Sequence, residues 1–266
     1  MKKREPTLSE IADIAKLSAN EETVLVGGMA VSVLAAYFHT PSDIPLYTKD
    51  ADFVGGLFAI EQAEINLRQY KVRKYVASLD EASATPNFGK LAVDIAPDIE
   101  AVEIDFLYRI DGMSTDEIEQ KAITIELGGK LVRVIHPILS LENKINNLAL
   151  YPAKRNASGI GQAEVMVRVV NTYLDSILDL DDPRSTLQAV ERIARFVARE
   201  SACFAFHAFG VDVLESIPGS LEAIPGFGSK RLPQIREHIA ERRQKFTNMW
   251  ERMSKIRDPG KIRFRL

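Results

Sequence analysis

The chain has 266 residues, 46% of them apolar and 27% charged, which is the composition of a globular protein long enough for a full core and two domains. A single cysteine, Cys203, excludes an internal disulfide and a cysteine metal cluster, and no run approaches the roughly eighteen apolar residues needed to span a bilayer. The net charge of −3 conceals an asymmetry: residues 230–266 carry twelve Lys and Arg against four Asp and Glu, or +8, leaving −11 on the first 229. An acidic body with a basic end suits a polyanionic partner or a solvated helix face. The first residues, MKKREPTLSEIADIAKL, are basic but lack the continuous apolar core of a signal peptide, so the expected location is cytoplasmic.

Thr7-Leu8-Ser9-Glu10 reads as a capping box, with Thr7 as the cap and Glu10 reaching back. Leu8, Ile11, Ala12, Ala15 and Leu17 then mark one face of a helix. Thr23 to Val26 is a short β-branched strand that Gly27-Gly28 interrupts. Met29 to Phe38 is apolar nearly all round, which predicts a buried helix. His39 to Tyr47, with Pro41 and Pro45, is a loop. Asp50 to Val54 fits a second strand closed by Gly55-Gly56, and Leu57 to Gln69 a helix with Leu57, Ile60, Glu64 and Leu67 along one side.

Lys71 to Ala77 and Lys90 to Ile95 are predicted strands. The clearest strand is Ala101 to Ile110, where Val102, Ile104 and Phe106 alternate with Glu103, Asp105 and Leu107. Ile123 to Leu127 and Leu131 to Ile135 flank Gly128-Gly129, a hairpin signal. After His136-Pro137 the period becomes helical: Ile138, Leu141, Ile145 and Leu148 form a stripe. Ile160 to Leu180 and Pro183 to Glu200 read as longer helices, and a basic helix runs from Leu232 to about Lys255. The fold class is therefore α+β. A mixed sheet with flanking helices occupies residues 1–135, and an all-helical domain occupies 136–266.

Residues two apart on a strand share a face, so Asp50 and Asp52 project together, and Asp105 joins them if its strand lies alongside. Unit charges about 4 Å apart repel by roughly 1 kcal/mol in water and about 4 at an effective dielectric of 20, so such a cluster calls for a cation or a shared proton. Hard oxygen ligands of this kind suit Mg²⁺ or Mn²⁺. A strand ending in Gly27-Gly28 before a helix offers backbone N–H groups to a phosphate. Together these parts describe metal-assisted phosphoryl or nucleotidyl transfer. Taken singly, the glycines read as a turn and each aspartate as a solvent-facing strand residue.

The ordered set of strand, Gly27-Gly28, helix, Asp50-x-Asp52 and the strand around Asp105 resembles the nucleotidyltransferase superfamily that includes DNA polymerase beta. Within it, residues 20–150 are similar to the bacterial AbiEii-type proteins. The resemblance implies an NTP donor whose phosphates rest on Gly27 and Gly28, with Asp50, Asp52 and Asp105 as catalytic metal ligands. Lys144 is comparable to a family lysine at the phosphates or the base. It also implies NMP transfer to an RNA or tRNA end or a protein side chain, a toxin-like role, and an antitoxin partner. Asp94, in Val93-Asp94-Ile95, competes with Asp105 for the third position, and Gly28 stands where many members have Ser.

Two other readings stay open: a nucleic-acid-binding or regulatory module without catalysis, and a small-molecule nucleotidyltransferase. Ile224-Pro225-Gly226-Phe227-Gly228-Ser229-Lys230-Arg231 resembles the hairpin of helix-hairpin-helix modules, with Lys230 and Arg231 placed for phosphate contact. An ordinary helix connection explains the same letters. Lys144 is either a ligand contact or a lysine snorkelling at the surface. Lys154 and Arg155, in the loop after it, could face an anionic substrate. The four histidines have no ligand spacing, and Phe204, Phe206 and Phe209 read as core.

Overall fold

A computed structural model describes residues 3–40, 48–77, 87–179 and 183–254. The loop expected over His39 to Tyr47 therefore lies mostly outside the described residues. The chain divides into two compact units: residues 1–37 and 45–140, and residues 38–44 and 141–266.

The first unit is built on a seven-stranded mixed sheet in the order β3-β4-β5-β2-β1-β7-β6. Its strands are β1 (Val24–Val26), β2 (Asp50–Val54), β3 (Lys71–Val76), β4 (Asn87–Asp94), β5 (Val102–Leu107), β6 (Ile123–Leu127) and β7 (Lys130–Val134). β2 lies parallel to β5 and antiparallel to β1. The β6–β7 hairpin turns at Gly128 and Gly129, both with positive φ (54° and 82°), a geometry that favours glycine at each position.

Around the sheet lie α1 (Leu8–Ser18), α2 (Gly27–Tyr37), α3 (Leu57–Asn66) and α4 (Thr115–Lys121). α1 starts at the expected capping box: Thr7 accepts from the Glu10 N–H, and the Glu10 carboxylate accepts from the Thr7 N–H. α2 buries Met29, Ala30, Val31, Val33, Leu34 and Ala35. α3 departs from its expected face. Ala59, Ile60, Ala63 and Leu67 are buried, whereas Leu57 and Phe58 are exposed at the first turn.

One face of the sheet is a dry layer. Ala51 and Phe53 on β2 stand opposite Ile104 and Phe106 on β5, and all four are fully buried. The two phenyl rings stack with centroids 5.9 Å apart. Gly89 stands opposite Phe106, and a Cβ there would lie 2.7 Å from Ile60 Cδ1, so α3 packs on this same face. Strand alternation sends Asp50, Asp52, Glu103 and Asp105 to the other face.

The second unit is helical: α5 (Pro137–Leu150, which begins in the first unit), α6 (Ala157–Asp179), α7 (Pro183–Val197), α8 (Glu200–Phe209) and α9 (Leu232–Ser254). His136 caps α5, its Nδ1 accepting from the Ile138 N–H at 3.2 Å. The stripe of Ile138, Leu141, Ile145 and Leu148 is buried. Ala149, Cys203, Phe204 and Phe246 form a core cluster against which Phe209, Met249 and Trp250 pack. Arg192 makes a two-pronged ion pair with the buried Glu142, at 2.7 and 2.8 Å.

The stretch Ile224 to Arg231, read as a nucleic-acid hairpin or as an ordinary helix connection, makes several local contacts. Phe227–Arg231 is a π-helical turn that leads directly into α9. A Cβ on Gly228 would come within 2.0 Å of the Glu222 carbonyl oxygen, so that glycine serves internal packing. Arg231, read as placed for phosphate contact, pairs with Glu191 at 2.5 and 2.7 Å.

Because Phe106 is fully buried in the layer beneath the aspartates, Phe106→Ala is expected to lower the unfolding free energy by about 3–5 kcal/mol. Urea denaturation checks this: the midpoint should fall while the slope stays unchanged.

Candidate metal centre

Three carboxylates converge on the face of the sheet opposite the phenyl layer. Asp50, Asp52 and Asp105 each offer an oxygen, and these oxygens lie within 4.8 Å of one another. The parallel register of β2 and β5 sets this arrangement by placing Asp52 directly opposite Asp105, while Asp50 sits one side-chain repeat earlier on the same face. Asp94 does not join them. It lies at the end of β4, opposite Lys71 on the edge strand, and pairs with Arg73 at 3.0 Å.

Each carboxylate is positioned differently. Asp50 accepts a hydrogen bond at 3.0 Å from the hydroxyl of Thr48, a buried residue just before the strand. Asp52 stands opposite Val26, the last residue of β1, so its side chain meets the corner at Gly27. A Cβ on Gly27 would lie 1.8 Å from Asp52 Oδ2, and the φ of +69° independently favours glycine. The first function of Gly27 is therefore to admit the Asp52 carboxylate. Gly28 follows in the first turn of α2, where backbone N–H groups have no helical partner. The Ser32 hydroxyl, one turn on, donates to the Gly28 carbonyl at 3.4 Å.

Asp105 is the most enclosed of the three, with 9% of its surface exposed. Asn87 Nδ2 donates to its Oδ1 at 3.2 Å, and Lys90 Nζ lies 3.5 Å from the same oxygen. A β-bulge between Asn87 and Gly89 keeps Asn87 on this face. Burial pushes the Asp105 carboxyl above the ordinary carboxylate range; Lys90 works against this shift and Asp50 adds to it. Lys90 is itself anchored by Glu103 at 2.8 Å, which raises its proton affinity further.

An all-carboxylate donor set of this size fits a hard divalent cation such as Mg²⁺ or Mn²⁺. Thr48, Asn87, Lys90 and Glu103 escaped the sequence reading as parts of this site. Their proximity depends on strand register and a bulge; only Thr48, two residues before Asp50, left a local signal. Lys144 lies on α5 in the second unit. It is buried rather than snorkelling, and it borders a small cavity of about 30 Å³ with Asn147, Lys154 and Gln162.

Two substitutions follow from this geometry. Gly27→Ala forces a Cβ into Asp52 at a left-handed position and is expected to cost about 2–4 kcal/mol in urea denaturation, with loss of divalent-metal stabilisation. Asp105 has a raised folded pKa, so its contribution favours folding at low pH and is lost as pH rises through that value. Asp105→Asn should therefore raise the metal-free Tm at pH 7.5 by a few degrees, with the gain vanishing below the ordinary carboxylate range. Melting curves from pH 3 to 8 check the sign.

No family model matches the sequence, and no curated protein matches it. Solved structures similar to it include an antigenic nucleotidyltransferase-like protein from Paracoccidioides brasiliensis, at 16% identity over 68% of this chain and 92% of that one, with a TM-score of 0.40. A second is the Megavirus polyadenylate synthase, at 12% identity over 65% of this chain, with a TM-score of 0.41. The chain spans 38% of the length of that polyadenylate synthase.

Proposed function

We propose that the protein is a divalent-metal-dependent nucleotidyltransferase that moves a nucleoside monophosphate from an NTP to an acceptor hydroxyl. The observation that carries this reading is the convergence of Asp50, Asp52 and Asp105 within 4.8 Å beside the first turn of α2. A cation bound there, Mg²⁺ or Mn²⁺, supplies charge for the phosphoryl oxygens.

The chain's own groups then have separable tasks. Asp50 and Asp52 would hold the metal. The N–H groups at the start of α2, from Gly28 onward, receive the donor phosphates. Asp105 would complete the metal set and take the acceptor's proton. The acceptor oxygen bonds to the α-phosphorus as the bond from that phosphorus to the α–β bridging oxygen breaks, and pyrophosphate departs. Lys90, 3.5 Å from Asp105, limits the build-up of negative charge on this face.

The acceptor is proposed to be an RNA, a tRNA end included, or a protein side chain. A toxin-like role restrained by an antitoxin partner is the corresponding cellular proposal. Among the described residues no helix is long and apolar enough to cross a membrane.

Incubation with each labelled NTP, Mg²⁺ and cellular RNA or protein tests the reading. Transfer is expected with at least one NTP, and the Asp50→Ala/Asp52→Ala protein should lose about a thousandfold or more of the rate. Equal labelling by wild type and this variant would overturn the assignment.

A further inference from the structure

The basic end of the sequence is less free than its letters suggest. Arg231 is taken by Glu191, Arg236 by Glu222, and Arg243 by Asp212. What remains gathers elsewhere. Arg195 in the last turn of α7, Arg199 at the α7–α8 junction, and His238 and Arg242 on α9 line one open groove of about 380 Å³ with Ala198. The three arginines are exposed, and among the described residues none of them forms an ion pair.

Arg242 is also oriented. Its Nε donates to the Ala198 carbonyl at 3.2 Å, which holds the guanidinium across the groove. Among the described residues no acceptor takes its two terminal nitrogens. The track continues into an adjoining cavity lined by Arg242, Lys245 and Phe246, where Glu200 supplies a carboxylate.

We propose that this α7–α9 groove binds the phosphodiester backbone of a nucleic-acid strand. Three guanidinium groups lining one groove, Arg199 over the Phe196 ring, concentrate positive charge that a run of phosphates meets through paired N–H donors. The length favours a polymer over a single anion. His238 to Lys245 spans about 10 Å along α9, longer than a single phosphate group and enough for adjacent phosphates of one strand. The contacts are to backbone, so binding is independent of sequence and falls with salt. The groove acts without metal or aspartate, so failure of nucleotide transfer would leave this inference standing.

Fluorescence anisotropy of labelled twenty-nucleotide single-stranded RNA and DNA, titrated with the full chain over a range of KCl, provides the test. Arg195→Ala/Arg199→Ala/Arg242→Ala should weaken binding at least about tenfold near 100 mM salt and reduce the slope of log K against log salt by about 2. Lys3→Ala/Arg68→Ala/Lys71→Ala removes the same charge from exposed positions of the first unit and should leave binding within about twofold. Should the triple variant melt early, Arg195→Ala/Arg199→Ala is read instead, with a slope reduced by about 1.4.

Wild-type affinity in the groove variant, or equal loss in the control, overturns the proposal. So does an equal or stronger arginine dependence for tripolyphosphate or a poly-glutamate peptide. A preference between RNA and DNA identifies which strand supplies the phosphates.

Discussion

Mutual repulsion among Asp50, Asp52 and Asp105 is the constraint that the first unit is built to withstand. Unit charges at the 4.8 Å limit of this cluster repel by about 3–4 kcal/mol at an effective dielectric near 20. The carboxylates have little freedom to separate, because each sits on a strand whose register is fixed by backbone hydrogen bonds and by Phe53 and Phe106 on the reverse face. The apolar layer and the acidic layer are two sides of one pairing. A slip of one residue in β2 would send Asp50 and Asp52 to the apolar side and Phe53 to the acidic one.

The protein offsets this repulsion unevenly, and the unevenness is what gives the cluster chemical character. Asp50 has a hydroxyl donor in Thr48, Asp52 lies against the backbone of Gly27, and Asp105 has Asn87 and Lys90. Burial raises the pKa of Asp105.

Much of this was legible because the signals were local. Asp50 to Val54 forms a strand with the expected bounds, the Gly-Gly hairpin turns where its letters place it, and the Thr7 capping box forms. Asp105 could be preferred to Asp94 from the regular alternation of its strand. Two helices were missed for different reasons. Ser114 caps α4 by accepting from the Glu117 N–H, a short helix whose Ser-x-x-Glu signal precedes no strong apolar run. α8 carries Phe204, Phe206 and Phe209 at spacings that mix helix and strand periods. The neutralisation of the basic end was not legible at all, because Arg231, Arg236 and Arg243 find their acids 40, 14 and 31 residues away. The pairing of Lys90 with Asp105 was hidden in the same way, by cross-strand register.

The central claim is that the three aspartates are one divalent-cation site. Crystals soaked in Mn²⁺ with a non-hydrolysable NTP analogue, measured for anomalous scattering, address it directly. The account predicts a manganese peak within coordination distance of Asp50, Asp52 and Asp105, with analogue phosphates on its open side. Ordered carboxylates with no peak between them, or a peak held by other residues, would contradict it.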